Sequence, residues 1–163
     1  MFESLEVLGG IRIPPALFIL LAIVAVVSAP LPGRGPMSRT RDPWRGYKFA
    51  SRDAVMQRAG HRCEGAVFLV WGRCGLPAVE VDHVYPWSKG GKTVVRNGQA
   101  LCRDHNRRKA AVTPPWWYVL GLERRRRGYF PEVVDVRVFA RYTPEEREAR
   151  QRWLASRQAG RRR

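Results

Sequence analysis

The chain has 163 residues, room for one small domain with extensions but not for two full hydrophobic cores. Thirty Lys and Arg against fourteen Asp and Glu give a formal charge of +16, so polyanions are the expected partners, nucleic acid first, with a merely basic or ribosome-associated protein as the bland reading. Three cysteines are an odd number, which argues against a secreted disulfide framework and for a reducing compartment.

The charge is uneven. In residues 1–36, Arg12 and Arg34 cancel Glu3 and Glu6, so all the excess lies in 37–163. The first segment is apolar, and Ile13 to Leu31 makes 19 residues, roughly 28 Å as a helix and just enough to span hydrocarbon. With Arg34, Arg39, Arg41 and Arg45 behind it, such an anchor would leave the rest on the cytoplasmic face of a membrane. A mis-assigned start is the equal rival, because Met37 opens the basic part cleanly. A cleaved signal peptide ranks below both, since Glu3 and Glu6 stand where a basic cluster belongs.

The second segment, 37–113, holds the chemistry. Ser51 to Ala59 reads as a short helix capped by Ser51 and ended by Gly60. Val79 to Val84 alternates like a strand. Pro86, Gly90 and Gly91 force a loop, Thr93 to Val95 is a poorly defined second strand, and Leu101 to Ala111 reads as a helix. The third segment, 114–163, is a basic, helical extension. It opens on Pro114 and Pro115, and its Trp116, Trp117 and Tyr118 are assigned to packing rather than to base stacking. Val133 to Phe139 alternates like a strand, and Thr143-Pro144-Glu145-Glu146 is a capping-box helix start.

Residues 80–109 read EVDHVYPWSKGGKTVVRNGQALCRDHNRRK. In order they present Asp82-His83, Gly90-Gly91, Asn97, then Cys102, His105, Asn106 and Lys109. This order and spacing resembles the HNH nuclease family, whose site usually runs Asp-His, Gly-Gly, Asn and a Cys-x-x-Cys-His-x-x-Lys helix. The resemblance covers about residues 58–110. It implies an α+β fold: a small ββα-metal, treble-clef-like domain, here with an N-terminal apolar helix and a basic C-terminal extension.

The resemblance also implies roles. His83 would be the general base, since a neutral imidazole can take a proton from water near pH 7; on its own it would read as a hydrogen-bonded strand histidine. Asp82 would hold a catalytic Mg²⁺ or Mn²⁺. Neighbours on a strand point to opposite faces, so the two can share a site only if the strand ends there, and Tyr85-Pro86 supports such a break. Asn97 would pin the loop backbone, although Asn-Gly is also an ordinary turn dipeptide. At the helix this chain departs from the pattern: His105 stands where the second Cys is usual, and Asn106 where the metal-binding His is usual. One register gives Cys102 and His105 to zinc and Asn106 to the catalytic metal. The rival gives His105 to the catalytic metal and leaves three cysteines for zinc. Cys102 and His105 lie three apart on one helix face, which favours the first. Cys63 and Cys74, with ten residues and an apolar insert between them, would complete a structural Zn²⁺ site as Cys₃His.

Lys89, Lys92, Arg103, Arg107, Arg108 and Lys109 surround this region and would track phosphates, with Arg124, Arg125, Arg126 and Arg127 adding non-specific contacts. The expected function is metal-dependent hydrolysis of DNA phosphodiesters. One site cuts one strand, so a double-strand break calls for a homodimer or two encounters. Two rivals stand beside it: a zinc-stapled nucleic-acid-binding module impaired in catalysis by Asn106, and a membrane-tethered interaction protein.

Overall fold

The structure is a computed structural model and describes residues 6–7, 11–12, 14–68 and 71–161. In chain order it comprises β1 (Glu6–Val7), β2 (Ile11–Arg12), α1 (Pro15–Ser28), α2 (Phe49–Arg58), β3 (Ala66–Phe68), β4 (Trp71–Arg73), β5 (Glu80–His83), β6 (Gly98–Leu101), α3 (Arg103–Lys109), α4 (Trp116–Arg126) and α5 (Pro144–Arg161). The strands pair antiparallel as β1 with β2, β3 with β4 and β5 with β6. The β5–β6 hairpin followed by α3 is the ββα unit that the resemblance implies.

α1 has 14 residues, about 21 Å of helix. Pro14 and Pro15 start it and its last turn closes before Pro30. No helix among the described residues is long and apolar enough to cross a membrane, which corrects the expected 19-residue span over 13–31. Its apolar side chains are exposed, but its C-terminal end is held. The Trp116 and Trp117 indoles donate to the carbonyls of Val26 and Val27, both at 3.0 Å, satisfying acceptors that a helix end leaves open. The aromatic pair thus serves packing.

Several predicted boundaries shift. α2 begins at Phe49, and Ser51 lies inside its first turn, where its hydroxyl accepts from Lys48 N at 3.2 Å. The second strand is Gly98–Leu101, not Thr93 to Val95. Residues 95–97 form a 3₁₀ turn instead, which is how Asn97 reaches the loop interior. Leu101 consequently belongs to β6, and the helix shortens to Arg103–Lys109. Val133 to Phe139 pairs with no strand among the described residues. Val138 N donates instead to the Glu123 carboxylate at 2.7 Å, and Ala140 N to the Arg34 carbonyl at 3.0 Å. At α5 the capping box forms as read: Thr143 N donates to Glu146 Oε2 at 2.8 Å and Glu146 N to Thr143 Oγ1 at 3.2 Å.

The core is built where these segments meet. Val84 and Tyr85 pack with Val119, Leu122, Val138 and Ala140, and Leu31 and Tyr118 close that group. Tyr47, Val55, Met56, Ala59 and Ala100 pack on the other side of the hairpin. A buried ion pair joins the two halves: Arg126 Nε lies 2.8 Å from Glu64 Oε1, both side chains fully buried. Glu64 also accepts from Ala100 N on β6 at 2.8 Å and from the Tyr129 hydroxyl at 3.0 Å. Burial pushes the Glu64 carboxyl up, but the Arg126 charge and hydrogen bond outweigh it and hold it below its ordinary value.

The segment before Met37 participates in this packing through Leu31, through Ala29 O and Arg34 O as acceptors for Trp116 N and Ala140 N, and through Arg34 beside Glu123 at 3.6 Å. A fragment of residues 37–163 is therefore expected to be about 3 kcal/mol less stable than the whole chain, from one lost apolar side chain and two lost backbone hydrogen bonds. Denaturant melts of the two should differ by that amount; superimposable curves would mean that residues 29–36 contribute nothing.

Candidate metal and catalytic site

Two groups of side chains flank α3. The first is Cys63, Cys74, Cys102 and His105, whose ligand atoms all lie within 4.8 Å of one another. Cys63 follows α2, Cys74 follows β4, and Cys102 and His105 bracket the first turn of α3, so the β3–β4 hairpin is the device that returns the chain across the ten-residue spacing. The donor set fits zinc on three observations. Cys102 Sγ and His105 Nδ1 are 3.2 Å apart, converging on one point. His105 Nε2 lies 3.0 Å from the Ala66 carbonyl; a carbonyl only accepts, so Nε2 carries the proton and Nδ1 offers its lone pair. Gly65 N donates to Cys63 Sγ at 3.3 Å. Burial works to raise the Cys102 thiol, but hydrogen bonds, that from the His105 backbone N–H foremost, outweigh it and bring it down to about 7. Burial pushes Cys63 up to about 12, so of these two sulfurs Cys102 is the readier to ligate.

Gly65 is required by this packing. A Cβ at that position would collide with the His105 ring. Gly65→Ala is expected to displace His105 and weaken zinc retention by about tenfold or more, read in competition with a chromophoric chelator. Unchanged retention would mean that the ring has room to move.

The second group sits where β5 faces α3. Residues Glu80 and Asp82 are two apart and share a strand face, and each meets a residue of α3. The Asn106 amide donates to Glu80 Oε2. Lys109 Nζ lies 2.7 Å from Asp82 Oδ2. Burial works to raise the Asp82 carboxyl, but the neighbouring His83 and the Lys109 ammonium outweigh it and hold it at about 2. It is a carboxylate at any working pH. Glu80 is the residue that sequence reasoning missed. By accepting from Nδ2 it engages the donor end of the Asn106 amide and leaves Oδ1, the only atom of that amide able to bind a cation, unused by this contact. Its place two residues before Asp82 on an alternating strand was the available signal.

His83 ends β5, opposite Gly98. Its ring lies against Tyr47, with centroids 4.8 Å apart. Nε2 is 2.9 Å from Thr93 Oγ1, and Nδ1 is 3.8 Å from Asp82 Oδ1. The strand does break at this point, and the neighbours approach one another instead of diverging. Asn97 is fully buried and spans the loop: Oδ1 accepts from Tyr85 N at 2.9 Å, while Nδ2 donates to Tyr85 O at 3.1 Å and to Lys92 O at 2.9 Å. Val84 N donates to Asn97 O at 2.7 Å.

The basic residues divide. Lys89, Arg103, Arg107, Arg108, Arg124 and Arg127 are exposed, and Arg124 lies over Trp71. Lys92 is half-buried, its Nζ donating to Thr40 O. Lys109 is engaged by Asp82, and Arg125 is half-buried with Nη2 3.4 Å from Glu64 O. Arg126, expected on phosphates, is instead fully buried against Glu64. Its charge balances a buried carboxylate and is out of reach of a nucleic-acid backbone. Arg162 and Arg163, basic residues at the C-terminal end, lie outside the described residues.

Compared with known proteins, residues 67–111 match a family model described as HNH endonuclease. No curated protein and no solved structure matches the chain.

Proposed function

Because residues 67–111 match a family model described as HNH endonuclease, we propose that the protein is a metal-dependent endonuclease that hydrolyses DNA phosphodiesters with His83 as general base. The observation that carries this reading is the approach of Asp82 to His83 where β5 ends. An ionised carboxylate stands 3.8 Å from an imidazole nitrogen, and on the facing helix Asn106 is hydrogen-bonded to Glu80, two residues before Asp82.

Asp82 and Asn106 Oδ1 would hold a hard cation, Mg²⁺ or Mn²⁺, which when bound supplies a Lewis acid for the scissile phosphate. His83 takes a proton from the attacking water as the new P–O bond forms and the bond to the 3′ oxygen breaks; the departing oxygen takes a proton from solvent, leaving 5′-phosphate and 3′-hydroxyl ends as the family does. Asn97 keeps the turn that follows His83 in place through its three amide hydrogen bonds. Lys109 neutralises Asp82 on the side away from His83, and the exposed Arg103, Arg107 and Arg108 supply positive charge along α3 for the flanking phosphates. Zinc at the cysteine group is a staple, remote from the reaction.

The test is nicking of supercoiled plasmid by the full, zinc-loaded chain, with Mg²⁺ or Mn²⁺ and after metal removal. Nicking that depends on the added cation supports the nuclease. Tight DNA binding with no cutting under either cation would replace it with the binding-module reading, in which Asn106 fails to retain the metal.

A further inference from the structure

We propose that Thr93 is a positioning residue that fixes His83 as the Nε2–H tautomer, making Nδ1 the proton-accepting atom, and that the buried Asp42–Arg150 pair holds Thr93 in place. The term base rests on the nuclease reading above; the tautomer rests on hydrogen bonding alone.

The hydroxyl of Thr93 touches two groups, His83 Nε2 and the Trp44 carbonyl. A carbonyl cannot donate, so Thr93 gives its one proton to Trp44. Its oxygen can then only accept from the ring, and Nε2 must carry the hydrogen. That leaves the lone pair of a neutral His83 on Nδ1. The separation of 3.8 Å from Asp82 Oδ1 is too long for a hydrogen bond, so Nδ1 is not consumed by its neighbour. The neighbour beside Nδ1 is the more open of the two: the Asp82 side chain is 32 % exposed, the His83 side chain 5 %.

One ion pair places both partners of this switch. Asp42, 1 % exposed, accepts from Thr93 N at 2.8 Å through Oδ2 and from Trp44 N at 2.9 Å through Oδ1. Arg150, from the middle of α5, reaches Asp42 Oδ1 at 3.2 Å and Thr93 O at 2.8 Å, and its guanidinium lies 3.3 Å from the Trp44 ring centroid. The backbone donor and acceptor of Thr93 are therefore both clamped, as is the residue that takes its hydroxyl proton. A buried charge pair is weak evidence for stability but is well suited to fixing one arrangement among several. The basic C-terminal helix thus reaches the reaction centre through a single arginine.

The experiment is ¹⁵N spectroscopy of the imidazoles in the full, zinc-loaded chain, beside plasmid nicking by the same samples. Only His61, His83 and His105 need assignment. Neutral His83 is expected to carry its proton on Nε2 in the parent and in Thr93→Ser, and to become a mixture of tautomers in Thr93→Val. The nicking kcat should fall about ten- to hundredfold in Thr93→Val, part of what a general base contributes. It should stay within about threefold in Thr93→Ser, with KM unchanged in both. Arg150→Gln, which keeps Thr93 itself, should lower kcat in the same direction. A proton on Nδ1 in the parent overturns the proposal whatever the variants do. So does a Thr93→Val protein with parental tautomer and rate. A parent that shows the Nε2–H form but nicks nothing would sink the nuclease reading and leave the tautomer standing.

Discussion

His83→Ala is expected to lower cation-dependent nicking by about a hundred- to ten-thousandfold, the range a positioned general base supplies, while DNA binding stays within about threefold. Binding should survive because the groups that attract phosphate, Arg103, Arg107 and Arg108, project from α3 into solvent and do not touch the imidazole. The variant empties a largely buried site beside Tyr47, so some loss of stability is expected as well, about 1–3 kcal/mol from the vacated volume and the unpartnered Thr93 oxygen. Activity must therefore be compared well below both melting midpoints. Asp82→Asn provides the complementary result. It removes the charge that Lys109 neutralises, and its defect should be relieved in part by raising the cation concentration, whereas that of His83→Ala should not. If His83→Ala nicked at the parental rate, the proton would be leaving by another route and the roles given to this hairpin would be wrong.

How much of this was legible in the sequence depends on the range of the interaction concerned. The ββα order, the four zinc-group ligands and the meeting of Asp82 with His83 follow from residues close in sequence and from a spacing that a hairpin and a helix turn impose. The α5 start was equally local, because a capping box declares itself in four residues. The second strand was misplaced because Thr93 to Val95 has the stronger β-propensity, while Asn97 inserts its amide into the loop and forces a 3₁₀ turn there. Tertiary hydrogen bonding overrode propensity.

Longer-range features left no such trace. Nothing in a run of four arginines marks the third as fully buried; that follows from Glu64, 62 positions away. Likewise Arg150 on a helix rich in Arg and Glu looks like its solvated neighbours until Asp42, 108 positions earlier, is seen beneath it. The apolar N-terminal run was read by its length alone. Its prolines shorten it to 14 residues, and the indoles of Trp116 and Trp117 tie its end to the domain.

Stripping zinc is expected to be the most damaging single change to the fold. Structural zinc contributes an apparent 10–16 kcal/mol in small metallo-domains, comparable to or above the roughly 5–15 kcal/mol of net stability a whole domain has. Here Cys63, Leu101 and Cys102 form one buried group. Leu101 is the last residue of β6, so ligand loss propagates directly into the hairpin that carries Asp82 and His83. Even a loss of about 5 kcal/mol would move the melting midpoint down by roughly 10–20 °C for a domain of this size. Cys102→Ser should reproduce most of the effect, since it removes the ligand that joins β6 to the start of α3. The result also separates the two metal roles. A chelator strong enough to take zinc should abolish nicking in a way that Mg²⁺ alone does not restore. Brief treatment that removes only loosely held cations should be fully reversed by Mg²⁺ or Mn²⁺. Elemental analysis finding no zinc in the folded protein, together with a melting midpoint indifferent to chelator, would reduce the cysteine group to a packed cluster of free thiols and leave the hairpin to be held by its hydrophobic contacts and the Glu64–Arg126 pair.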